Sequence, residues 1–117
     1  MEPTVRERWE RLRDHLDAEA QASKMSQEAV LRLSHAYTLL QPDERRVVDE
    51  VLSEWLYSED ENQRFDALAL IREHRIVSAV RALEELAQRL AHSDDPGAPY
   101  ELAKVKRIVN QLTAVRV

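Results

Sequence analysis

The stretch RFDALALIREHRI, Arg64 to Ile76, decides the fold. Five consecutive apolar residues, Ala67 to Ile71, fall in a segment of helical character, where a helix with a single buried stripe needs only about half of them. A helix that is apolar on more than one side is buried between neighbours, and the flanking sequence supplies them. Upstream, in LLQPDE, Pro42 suits a helix's first turn, and Asp43 and Glu44 favour the positive end of its dipole. The helix predicted from there to about Tyr57 has an inward face of Val47, Val48, Val51, Leu52, Trp55 and Leu56. The run SEDE follows, in which Ser58 and Glu61 have the spacing of a capping box for a helix from Glu59 to about His74. Capping accounts for this acidic run more simply than a cation or partner site does.

Downstream, a fifth helix is predicted near Val77 and Ser78, with Val80, Leu83, Leu86, Ala87 and Leu90 on one stripe. The short link EHRIVS requires an antiparallel pair, with Arg72, His74 and Arg75 where the last carbonyls of the preceding helix favour positive charge. HSDDPGAP, residues 92–99, is the one obvious loop, broken by Pro96, Gly97 and Pro99. A last helix is predicted from about Tyr100 to Val115, with Val105, Ile108, Val109 and Leu112 as its stripe. At the other end of the chain, Val5, Trp9, Leu12 and Leu16, then Val30, Leu33, Tyr37 and Leu40, follow the 4,3,4 spacing of a narrow helical seam. Two helices with a turn near Ser23 to Ser26 fit this better than one long helix, because Ser26 is a good N-cap. The expectation is a single all-α domain of five to six antiparallel helices, with an N-terminal hairpin or long helix over residues 1–41 and helical pairs over 42–117. In the second half, helix four is sandwiched by helices three and five.

Composition removes whole classes of chemistry. The 117 residues suffice for one domain that buries roughly two-thirds of its unfolded surface. There is no cysteine and a single glycine, so a disulfide framework, zinc cluster, thiol nucleophile or glycine-rich phosphate loop is out of reach. The opening MEPTVRERWERLRDHLD lacks the apolar run of a signal peptide, and no later run approaches transmembrane length; a cytosolic, membrane-free protein is expected. Net charge is −5 with the two signs interspersed, which suits solubility rather than nucleic-acid or anionic-membrane binding. Neither Lys104, Lys106 and Arg107 nor Arg6, Arg8, Arg11 and Arg13 form a basic stripe with interleaved aromatics. The four histidines, His15, His35, His74 and His92, make no i, i+3 or i, i+4 pair, so no metal or cofactor is expected and no catalytic residue can be named. Trp9 and Trp55 fall on apolar stripes and read as core.

A shift of 37 residues brings Leu68 onto Val105 and Ile71 onto Ile108, each after an acidic loop, SEDE or SDD, and that period lies near the range of two-helix repeats. The run Asp60, Arg64, Ala67, Leu68, read as D-x3-R-x2-A-L, resembles the first helix of a HEAT-like repeat of the short bacterial type, and VRALEELAQRL resembles its second helix. The resemblance covers about Asp43 to Leu112 and implies a helical-repeat stack, the alternative being a globular helical bundle. It also implies that Asp60 caps its helix and that Arg64 pairs with a carboxylate of the adjacent repeat. The N-terminal seam lacks the motif, and Tyr100 and Glu101 stand where a second arginine would fall.

The expected function is a protein–protein interaction module, an adaptor or an immunity-type inhibitor, whose partner-binding face is made by residues that packing does not need. These are Arg46, Asp49, Glu50 and Ser53 on helix three, and Arg81, Glu84, Glu85 and Gln88 on helix five. Their mixed charge suits a protein partner. The alternative is a HEAT-like enzyme or nucleic-acid-binding protein of lyase or glycosylase type, which would need a pocket. Val115 and Val117 extend the last stripe, so either the N-terminal helix or a second copy, forming a homodimer, covers that edge.

Overall fold

The computed structural model describes residues 2–23 and 26–114, with the side chains of residues 21–27 excepted. Among the described residues it holds six α-helices, one 3-10 turn and no strand: α1 (Val5–Ser23), α2 (Ser26–Thr38), α3 (Pro42–Trp55), α4 (Glu61–His74), the turn Val77–Ala79, α5 (Val80–Ala91) and α6 (Ala98–Thr113). The expected all-α class is what the chain adopts. The reading of Ser26 as a cap rests on a side chain that is not described, and Val115 and Val117 lie outside the described residues. The chain divides into two compact units, Met1–Val51 and Leu52–Val117, and the division falls within α3.

In the first unit α1 and α2 pack against each other, and Arg32 ties them by reaching Glu19 at 3.0 Å while also pairing with Glu28 one turn before it. Thr4 and Glu7 cap α1 reciprocally, the Thr4 hydroxyl accepting the Glu7 N–H at 3.1 Å and donating to Glu7 Oε1 at 3.1 Å. Trp9, Leu16 and Ala20 are buried, as are Leu33 and Tyr37 of α2 and Val48 and Val51 of α3. The buried line on α1 runs through Arg13 rather than Leu12, which is only half-buried. An arginine can occupy such a line because its methylene stem packs as an apolar group. The Trp9 and Tyr37 rings meet edge to face with centroids 6.4 Å apart.

In the second unit α4 contributes four buried residues and approaches α6; the expected sandwich of α4 between α3 and α5 is not among the close helix pairs. The buried α4 residues Leu70, Ala67, Ile71 and Leu68 cover about 160° of the helix at about 100° per residue. That breadth explains the apolar run Ala67 to Ile71: Ala69, the member that falls outside the arc, is half-buried. Leu52, Trp55, Leu56, Leu83, Leu86, Val105 and Ile108 are among the other residues of this unit's core, and α5 and α6 pack closely. Helix α4 ends in a Schellman motif, with Ile76 N–H on Ile71 O at 3.0 Å and Arg75 N–H on Arg72 O at 3.4 Å. Arg75 takes the left-handed position at φ 52°. The basic residues expected at this end are there, and Arg75 Nη2 donates to Gln111 O at 3.4 Å.

Two boundaries differ from expectation for local reasons. Asp60, not Ser58, caps α4: its carboxylate accepts the Asn62 N–H at 2.9 Å, while Ser58 Oγ accepts the Asp60 N–H at 3.0 Å and stays outside the helix. At α6 the helix begins at Ala98, so Pro99 lies inside its first turn and does not end the loop. Proline is tolerated there because the first N–H groups of a helix have no intrahelical partner.

Candidate functional site

The Asp60 turn sets the position of Arg64. One turn into α4, its guanidinium donates from Nε to Glu101 Oε2 at 2.8 Å, from Nη2 to Glu101 Oε1 at 2.9 Å, and from Nη1 to Ser58 O at 3.0 Å. The pair is largely shielded, with side chains 15% and 14% exposed, and the bidentate bond to Glu101 holds the arginine's pKa above its usual value against the cost of burial. The partners are 37 residues apart. The loops before the two helices are built alike as well. Ser58 and Ser93 each accept the N–H two residues on, and Asp60 and Asp95 each accept the N–H two residues beyond themselves. They differ in that α4 starts immediately after Asp60, whereas Pro96 and Gly97 intervene before α6.

Beside this ion pair an open groove of about 390 Å³ lies between the first turns of α4 and α6, floored by Leu68 and edged by Glu61, Asn62 and Gly97. Two rings stand in it, Phe65 at 47% exposure and Tyr100 at 82%. The Lys104 ammonium sits over the Phe65 ring, 4.2 Å from its centroid. Burial lowers the lysine's pKa, Arg72 and Arg107 push it the same way, and Glu101 opposes them. Sequence reasoning missed this groove. Phe65 reads as one more apolar residue of α4, and Tyr100 as the first residue after a loop.

The residues singled out from the sequence have varied surroundings. In the first unit Arg46 and Glu50 are exposed, while Asp49 is half-buried and accepts a hydrogen bond from the Tyr37 hydroxyl at 2.7 Å. In the second, Ser53 is half-buried, and Arg81, Glu84 and Gln88 are exposed on α5. Arg81 and Glu85 are brought together as an i, i+4 ion pair at 3.7 Å. Glu85 also accepts the Tyr57 hydroxyl, which raises that phenol's pKa, and the Tyr57 ring lies under Arg89, whose guanidinium donates to Leu56 O. Glu85 and Asp49 therefore have packing roles. Glu84 and Gln88 line a second open groove, about 330 Å³, with Lys106, Val109 and Asn110 across from them on α6.

Among the described residues no three histidine, aspartate or glutamate side chains are placed to hold a metal ion, and no helix is long and apolar enough to cross a membrane. No family model, curated protein or solved structure matches the chain.

Proposed function

We propose that the chain is a protein-interaction module of the helical-repeat kind, docking a partner through the groove between the first turns of α4 and α6. The observation that carries this reading is the pair of exposed rings, Phe65 and Tyr100, in one groove of a chain that buries Trp9, Tyr37 and Trp55. Aromatic side chains seated in a groove are frequent centres of binding energy in protein interfaces. The groove's rim is rigid because Arg64 cross-links α4 to α6. The repeat reading draws support from the same pair, since Arg64 and Glu101 stand one period apart and Asp60 caps its helix. The α5 face, Arg81, Glu84 and Gln88, is a second reading, favoured by the 92% exposure of the Arg81 side chain and by the groove that Glu84 and Gln88 line.

Affinity capture from host lysate separates them. The bait is the wild type, the Phe65→Ser/Tyr100→Ser double variant or the Arg81→Glu/Glu84→Lys double variant. Loss of a stoichiometric partner with the first variant alone supports the α4–α6 groove, and loss with the second alone supports the α5 face. Capture of nothing by the wild type, with light scattering showing no self-association, would remove the interaction-module reading.

A further inference from the structure

The α4–α6 groove lies between two acidic loops. Glu59, Asp60 and Glu61 precede and open α4, Asp94 and Asp95 precede α6, and all five are exposed. Both loops reach the groove: Glu61 of the first and Gly97 of the second line it, and Asp95 accepts the Gly97 N–H at 2.8 Å. Against these carboxylates stand Arg64, neutralised by Glu101, and Lys104, with Arg72 and Arg107 close enough for their charges to act on Lys104. Lys104 is seated on Phe65, so the ring left open to a partner is Tyr100. One oxygen of Asp60 caps α4 and one of Asp95 accepts the Gly97 N–H in the turn before α6, but each carboxylate keeps its charge.

From this we infer that the groove's partner is a basic protein segment, whose arginine or lysine side chain stacks on Tyr100 while its neighbours face the two acidic loops. The inference rests on the interaction-module reading and gives the partner its chemistry. A cation over an exposed tyrosine and carboxylates on either side act together, because the ring attracts the charge through its quadrupole and the loops through Coulomb attraction. The acidic run SEDE thus has two uses, since helix capping involves Asp60 and leaves Glu61 lining the groove.

The test uses the full chain and three synthetic peptides, in which arginine, lysine or glutamate is spaced by glycine and serine. Binding is read by fluorescence anisotropy and by amide shifts in nitrogen-15 spectra. The arginine and lysine peptides are expected to bind and shift Glu61, Asn62, Tyr100 and Glu101, and the glutamate peptide is not. Tyr100→Ala should weaken the arginine peptide about two- to fivefold, and Glu59→Gln/Glu61→Gln should weaken it and flatten its salt dependence. Both variants change exposed residues, and unchanged circular dichroism checks their fold. Equal binding of the glutamate peptide, shifts elsewhere than the groove, or indifference to Tyr100→Ala would each overturn the inference. A partner captured through Phe65 and Tyr100 whose docking segment is neutral or acidic would also overturn it, while leaving the module reading intact.

Discussion

Arg64 makes three charge-assisted hydrogen bonds, two to Glu101 and one to Ser58 O, and removing it leaves a shielded carboxylate and a carbonyl without their donor. Arg64→Ala should lower stability by about 2–3 kcal/mol, measured by urea unfolding. Arg64→Lys should recover only part of that, because an ammonium cannot make the planar two-pronged contact. Equal stability of the alanine variant and the wild type would mean that the pair contributes nothing net. At Tyr37 the phenol is held well above its ordinary value of 10.0, first by burial and then by its bond to Asp49. A folded-state pKa raised above the unfolded one gives stability that is complete below the unfolded pKa and declines as pH rises past it. Wild-type stability should therefore fall above about pH 10, and Tyr37→Phe should flatten that fall; identical pH profiles for the two would refute the assignment. Arg64 could be picked out from the sequence by its place in D-x3-R-x2-A-L. The burial of Arg13 could not, since a lone arginine among charged neighbours carries no mark of the side it faces.

Among the elements, α4 was the most legible. Its apolar run, basic end and acidic beginning all have the structural counterparts that helix physics assigns them. Its start was ambiguous because Ser58 and Asp60 are both good caps. Local hydrogen bonds resolved the choice: Asp60 accepts the Asn62 N–H, and Arg64 Nη1 bonds Ser58 O from inside α4. Asp60→Ala should cost about 1 kcal/mol, whereas Ser58→Ala, which removes only a turn bond, should cost less. The reverse order in chemical unfolding would restore Ser58 as the effective cap. The first turn of α6 was misread for a related reason. Pro99 signals a break when read in isolation, yet a helix accepts proline in its first turn, and Ala98 before it is buried.

Over the whole molecule, the proposed docking role makes the groove of Phe65 and Tyr100 a surface that stability should not require. The Phe65→Ser/Tyr100→Ser variant should unfold within about 1 kcal/mol of the wild type while losing its partner. A larger loss would reassign the rings to packing. Leu83→Ala, in contrast, removes a fully buried side chain and should cost about 2–5 kcal/mol. The all-α class, the approximate helices and most buried positions were determined by the sequence alone, because helical periodicity and cap chemistry act over a few residues and are written there directly. That Arg64 pairs with a carboxylate was an expectation from resemblance, and only the fold made Glu101 its partner. The groove, the burial of Arg13 and the packing roles of Asp49 and Glu85 were decided by the tertiary structure. Each depends on which residues far apart in the chain become neighbours, and a one-dimensional pattern records the face a residue occupies but not what stands opposite it.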